Sequence, residues 1–362
     1  MKKILVVLLT ACVLIGCQTK KEENVIKIAC NMPMTGSIGY IGDEVRCGLD
    51  MAIEDKQYDN IFVDYQDNMA DNKNAVAIVN KQLLKRPHIY MSSSTSQTMV
   101  IKDLISKENV PHFLWSFTPL QLNKHDGMYR SLINLGVESK YILDFVDMVK
   151  PRRVYFIYAN TIGTKELCES LVVPAIQTKD SDILIKYEAY DLAETSFKNL
   201  VLKIKEFNAD AIIVEGYKEH LMSITKELKN YELNLIPTYY SFDIMDAAQE
   251  LDATLVEGAY VAAPNFYLPE LQNDAYKIWS NAFVQKHKRS PKYYAAYAYD
   301  LIEVIQQVFE LMHEQELSFD EALQFVNFEG ITGRVSFDEN GELKYNLRIC
   351  QYHDGILLPI QL

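Results

Sequence analysis

The stretch PMTGSIGYIGD, residues 33–43, sets glycines at 36, 39 and 42 between two patterned segments. Before it, VIKIACNM (25–32) is an apolar run of strand length. After it, EVRCGLDMAIED (44–55) repeats its apolar residues at helical spacing. A glycine loop between strand and helix is where a dinucleotide's pyrophosphate rests in a Rossmann unit. In favour of that use, VDYQD (63–67) ends the next strand with Asp64 and Asp67, about where a ribose-binding acid belongs. Against it, the spacing is G-x-x-G-x-x-G rather than G-x-G-x-x-G, and Ile38 and Tyr40 crowd the space a pyrophosphate needs. The loop therefore opens an α/β unit without making a phosphate cradle.

The N-terminus argues the same way. Lys2 and Lys3 precede the apolar run ILVVLLTACVLIG, which is too short for a stable membrane span and reads as an export signal. Leu14-Ile15-Gly16-Cys17 resembles a bacterial lipobox, cut before a cysteine that then carries lipid. An ordinary secretory signal that happens to contain Cys17 is the alternative. Residues 1–16 are thus expected to be signal peptide, and QTKKEEN suits a flexible tether over 17–24. An exported, membrane-anchored lipoprotein of the periplasm or cell surface meets no reduced nicotinamide pool.

The remaining chain is long enough for two domains. Its 49 acidic against 36 basic side chains give a formal charge of −13, and the densest basic run is KHKR at 286–289. No basic stripe is present, so nucleic acid is not an expected partner. Beyond the signal, Cys30, Cys47, Cys168 and Cys350 are scattered without C-x-x-C spacing, which indicates neither a zinc site nor a dense disulfide framework. No metal or cofactor is expected.

Strands and helices alternate along the chain. VIKIACNM, NIFVDYQD, HIYMSSS and PHFLWSF read as strands, with helices over 43–56, 72–84 and 98–107. After Arg130 the pattern restarts: SKYILDFVDMV is helical, RRVYFIYAN a strand, GTKELCESLVVPAI a helix, DILIKYEAY a strand and SFKNLVLKIKEF a helix. ADAIIVEGY, LIPTYYSF and GAYVAAP are further strands. This order predicts βαβ units, parallel sheets and two doubly wound lobes. Three helices follow, in NDAYKIWSNAFVQKH, YAAYAYDLIEVIQQVFELM and SFDEALQFV. GRVSFDENGELKYNLRICQYHDG then reads as a hairpin turning at residues 339–342.

MTGSIGYIGDEVRCGLDMAIED resembles the first strand-loop-helix of the type I periplasmic substrate-binding proteins, in their leucine/isoleucine/valine-binding branch. The small-Gly pair is Thr35-Gly36, the Gly-Asp pair is Gly42-Asp43, and Gly48-Leu49 lies within the helix. Further along, VDYQDNMADNKNAVAIVNKQLL, SSSTSQ, VPHFLWSFTPLQL and KPRRVYFIYANTIG fit the family's succession of segments. FEGITGRVSFDENGEL carries its late Gly-x-x-Gly-x-x-x-Phe-Asp-x-x-Gly signature. The resemblance implies an α/β fold of two Rossmann-like lobes joined by a three-strand hinge, with crossings near Asn134, Pro264 and Gly330. Lobe 1 would take 25–134 plus 267–330, and lobe 2 would take 135–266 plus 331–362. It also implies that Gly48 lets its helix pack closely on the sheet. Ligand would bind in the interlobe cleft, and closure would bury it.

The candidate ligand contacts follow. Ser92-Ser93-Ser94-Thr95 sit at a strand-to-helix turn, where hydroxyls and free N–H groups suit a carboxylate, or where they simply cap the next helix. The family pattern favours contact through Ser92 and Ser93. Trp115-Ser116-Phe117-Thr118 ends the fourth strand, and the resemblance gives Ser116 and Thr118 the grip on an amino acid's head group, with Phe117 lining the pocket or sitting in the core. Tyr217 matches a family tyrosine facing ligand, Asp243 is the candidate for the ammonium-binding acid with Ser241 as the alternative, and Tyr40 and Thr161 complete the set. The aromatic expected before Gly42 is Ile41 and that before Gly163 is Ile162, so the ligand can differ from the branched-chain amino acids. Met69 and Met91 stand where some relatives carry a disulfide.

An enzyme would need a nucleophile-base pair or a metal cluster. The chain has no G-x-S-x-G, no H-E-x-x-H and no Cys/His pair at a recognised spacing. A regulator of the same lobe architecture would need a DNA-binding module where the signal peptide stands. The expected function is capture of a small polar ligand, an amino acid or amide, for an ABC transporter permease. The alternative is a sensor of the same fold that presents its closed form to a signalling receptor.

Overall fold

A computed structural model describes residues 25–36, 38–117, 122 and 126–360. Cys17, with residues 1–24 expected to form a signal peptide and tether, and Thr118 lie outside the described residues. The first sheet holds β1 (Ile26–Met32), β2 (Ile61–Asp67), β3 (Ile89–Ser93), β4 (His112–Trp115) and β5 (Met128–Arg130). Its order is β2-β1-β3-β4-β5 and every pairing is parallel. The second sheet begins with β6 (Arg153–Ala159), β7 (Leu184–Tyr190), β8 (Ala211–Glu215), β9 (Thr238–Tyr240) and β10 (Tyr260–Pro264). After a small hairpin of β11 (Asn327–Gly330) and β12 (Gly333–Ser336), the antiparallel β13 (Leu347–His353) and β14 (Ile356–Pro359) complete that sheet. Its order is β14-β13-β10-β9-β8-β6-β7.

Central strands β3, β4 and β8 are buried along their whole length, as helix-covered parallel strands must be. Edge strand β7 exposes Leu184, Lys186, Tyr187 and Ala189. The long helix Tyr293–Gln315 returns to the first lobe and packs along the helix Gly39–Lys56. Gly48 is what permits that approach. A Cβ there would stand 2.2 Å from the Ala295 carbonyl oxygen and 2.8 Å from the Ala298 Cβ. The sequence places Gly48 against the sheet; the structure places it against this second helix.

The opening helix starts at Gly39 rather than Asp43, so two of the three loop glycines lie in its first turn. Asp67 explains the rest of the loop. Its carboxylate accepts the Met34 N–H (2.9 Å) and the Thr35 hydroxyl (2.6 Å), while Asp64 pairs with Lys85 at 2.7 Å. Both acids compatible with a ribose contact are therefore occupied in holding the chain.

Two expectations about the C-terminal segment change. A short hairpin does form about 338–341, with Phe337 and Leu343 bridged in antiparallel register and the Lys344 N–H donating to the Ser336 carbonyl, but its second arm then leaves for the second sheet, so β12 and β13 do not pair. Phe337 packs on Phe113 of the first sheet, and Arg130 and Leu343 exchange backbone bonds with the segment beside them. Arg130 also donates to Glu342 at 2.8 Å. Residues 331–343 thus sit on the first lobe, and the third crossing falls after Leu343 rather than near Gly330. A second hairpin, β13-β14, turns at Asp354-Gly355.

Candidate functional site

Parallel sheets gather their ligand-facing loops at the carboxyl ends of the strands. Here the two sets of loops face each other and enclose a cavity of about 50 Å³. About 10–15 Å³ suffices for one water, so the cavity admits a few small groups. From the first lobe come Ile38 and Ile41 of the opening helix, Ser94 and Thr95 after β3, and Trp115, Ser116 and Phe117 at the end of β4. From the second come Thr161, Gly163 and Thr164 after β6, Glu215 to Tyr217 after β8, and Ser241 to Asp243 after β9. Leu135 and Glu138 enter from the helix Leu135–Val149, which the Asn134 side chain caps at the first crossing.

The lobes are in contact across this cavity. The Asp243 carboxylate, from the second lobe, accepts hydroxyls of Tyr40, Tyr293 (2.7 Å) and Tyr294 (3.3 Å) from the first. Phe117 stacks on Phe242 with centroids 6.3 Å apart. A Cβ on Gly163 would lie 3.1 Å from Leu135 Cδ1 and 3.3 Å from Thr95 Oγ1, so a bare glycine lets the lobes meet there. Burial pushes the Asp243 carboxyl above its ordinary range, and the hydroxyls of Tyr40 and Tyr293 oppose that shift.

The expected contacts divide. Ser116, Phe117, Thr161, Tyr217 and Asp243 all line the cavity. Thr161 also caps its helix by accepting the Thr164 N–H at 3.3 Å. Tyr40 is not on the wall; it holds Asp243 from behind. Ser241 is committed to Gly216, accepting its N–H (3.1 Å) and donating to its carbonyl (2.9 Å). Ser92 and Ser93 do not line the cavity. They belong to β3 itself and are fully buried, with the Ser92 hydroxyl 2.9 Å from Thr98 Oγ1 and 2.7 Å from His112 Nε2. The next two residues take their place: Ser94, at φ +68°, turns the chain out of the strand so that it and Thr95 reach the cleft. A non-glycine residue held there costs on the order of 1–3 kcal/mol, a strain that clusters at functional sites.

Two residues that sequence reasoning missed dominate the electrostatics. Glu138 and Glu215 are 0% and 1% exposed, and both line the cavity. Among the described residues, neither oxygen of Glu138, nor Oε1 of Glu215, has a hydrogen-bond partner; nor does the Ser116 hydroxyl. The Tyr239 hydroxyl and the Phe242 N–H lie close enough to Glu138 to favour its charged form, but neither makes a well-aligned bond with it. Burial above all pushes both glutamates far above the carboxylate range, helped at Glu138 by the negative charge of Asp243 and at Glu215 by those of Glu138 and Asp243. Their sequence contexts, GVESK and IIVEGY, carry no signal beyond a glutamate at the start of a helix and another at the end of an apolar strand.

Among the described residues no cluster of His, Cys, Asp and Glu has the geometry to hold a metal ion, and the four described cysteines are unpaired and buried. No described helix is long and apolar enough to cross a membrane.

Comparison with known proteins agrees with this architecture. The chain is 22% identical over 350 residues to a leucine-, isoleucine-, valine-, threonine- and alanine-binding protein of Pseudomonas aeruginosa, covering 91% of this chain and 90% of that one. It is 24% identical to the Leu/Ile/Val-binding protein of Citrobacter freundii, in a match spanning 61% of this chain and 63% of that protein's length. Among solved structures, a leucine-binding protein from Thermotoga maritima superposes with a TM-score of 0.77 at 18% identity, covering 93% of this chain and 98% of that one. An ABC-transporter solute-binding protein of Rhodopseudomonas palustris, in complex with 3,4-dihydroxybenzoic acid, gives 0.79 at 17% identity, covering 94% and 97%. The family model described as periplasmic binding protein matches residues 25–355, nearly the whole described structure, and with its two wound lobes and the cavity between them the chain belongs to the periplasmic binding protein family.

Proposed function

We propose that this protein captures a small polar solute, an amino acid or amide-like molecule, between its lobes and delivers it to the permease of an ABC transporter. One observation carries the reading: an interlobe cavity whose buried polar wall atoms, on Ser116, Glu138 and Glu215, have no hydrogen-bond partner among the described residues. Unpaired buried polar atoms are costly unless something else satisfies them. A bound solute does that, and the cross-lobe contacts at Asp243 and Gly163 supply the closure that retains it. The relatives' described roles as amino-acid- and solute-binding proteins support the same reading. The protein works outside the cytoplasm, cleaved before Cys17 and anchored there by lipid. Lipid labelling that persists in Cys17→Ser refutes the anchor.

The direct test is a thermal-shift screen of the mature chain against amino acids, amides, small amines and small carboxylates. A true ligand raises stability by mass action, by about 2.7 kcal/mol at a hundredfold excess over Kd, and is recovered unchanged. Chemical conversion of the bound compound, or no shift with any member, overturns the reading.

A further inference from the structure

We propose that the cleft selects an organic dication, with one cationic N–H group seated between Glu138 and Glu215 and the second directed to Asp243. The proposal rests on the cleft being the ligand site, as argued above, and adds the charge its ligand must carry. Three carboxylates line one small cavity, while no described lining residue is Lys, Arg or His. Lys292 is not on the wall; its ammonium lies 3.8 Å from Asp246 and 4.6 Å from the centre of the Tyr40 ring.

The three acids are not equivalent. Asp243 accepts two tyrosine hydroxyls on Oδ1 and one on Oδ2, which leaves one Oδ2 lone pair for a ligand and a charge that no cation on the wall offsets. Glu138 and Glu215 have three of their four oxygens without a partner among the described residues, although both side chains are essentially out of solvent. A buried carboxylate in that state must be protonated or must face a cation. In either form its unsatisfied atoms cost free energy that a donor-rich ligand recovers. Leucine and its relatives carry one ammonium, and an aromatic acid carries none. Neither satisfies two orphaned glutamates together with Asp243. Aromatic rings of Phe117, Tyr217, Phe242 and Tyr294 complete the wall, and such rings attract organic cations where water is excluded.

Two chemical sources share this pattern: a free diamine, or an amino acid with a basic side chain. The second adds a carboxylate, for which Ser116 offers an unpartnered buried hydroxyl.

Calorimetric titration of the mature chain with 1,4-diaminobutane, lysine, leucine, acetamide and benzoate tests the proposal. The expected result is that diaminobutane or lysine binds at least tenfold more tightly than the other three. Diaminobutane alone identifies a diamine site, and lysine alone a dibasic amino-acid site. Glu138→Gln and Glu215→Gln, nearly isosteric changes, should each weaken that binding tenfold or more. Binding of leucine, acetamide or benzoate with neither dication overturns the proposal and leaves the solute-binding reading intact. Unchanged dication affinity in both variants also overturns it, as does silence from all five probes. The wild-type panel decides the matter even if a variant fails to fold.

Discussion

Tyr293→Phe isolates the energetics of closure. The Tyr293 hydroxyl of the first lobe donates to Asp243 of the second at 2.7 Å, and the substitution removes that atom while keeping the ring that stacks on Tyr294 at 4.1 Å. A hydrogen bond to a charged group contributes about 1.5–3 kcal/mol. The open form gives the same hydroxyl to water, so the loss falls on the closed form alone. At about 1.4 kcal/mol per tenfold, the closed-to-open ratio should fall roughly ten- to hundredfold. Apparent ligand affinity should fall with the closed fraction, because only that state is competent to hold the solute. Single-molecule energy transfer between one dye on each lobe reads the ratio without knowledge of the ligand. Tyr129→Phe is the control: Tyr129 donates to Asp320 within the first lobe, so the same chemical change there should leave the ratio where it was. A Tyr293→Phe ratio within twofold of wild type, or an equal drop in the control, would falsify the assignment of Asp243 as the interlobe latch.

Two further outcomes follow from the packing and the buried acids. Gly48→Ala should destabilise the first lobe by about 1–3 kcal/mol, the usual cost of overpacking, because its Cβ meets the Ala295 backbone; denaturant unfolding checks this, and an unchanged midpoint refutes the close helix contact. Ligand-free protein should melt at a higher temperature as pH falls from 8 to 6.5. Burial raises Glu44 to about 7 against the pull of Arg289 and Lys292, raises Asp246 to about 8 against Lys292, and raises Glu138 and Glu215 well above the usual carboxylate range. The folded state then holds protons the unfolded chain has released, so stability is present at low pH and lost as pH rises through those values, at about 1.4 kcal/mol per pH unit for each proton. Below 6.5 the trend should flatten, because burial depresses His112, to about 3, and His220, and these favour the unfolded chain once it can protonate. Calorimetric melting across that range checks the sign, and a melting temperature that rises with pH from 6.5 to 8 refutes it.

The sequence by itself determined most of the order of strands and helices, because burial on both faces writes apolar runs such as RVYFIYA, and helices write a 3.6-residue repeat. Parallel sheets place their strand-end loops on one side, so the strand pattern located those loops, while the choice of Ser116, Thr161, Tyr217 and Asp243 within them rested on the family resemblance. Local pattern could not decide between Ser92 and Ser94. All four residues of that turn are small and polar, and only the strained backbone at Ser94 selects which of them leave the strand. Nor could it place residues 331–343, because the short hairpin about 338–341 looks the same locally whichever lobe it packs on. The convergence of Glu138 and Glu215 was still further from view. A lone glutamate at a helix start or strand end reads as solvated, and its burial is a property of neither segment. It arises only when two lobes, each wound from distant stretches of chain, close on the same small volume and remove the water that would have screened both charges.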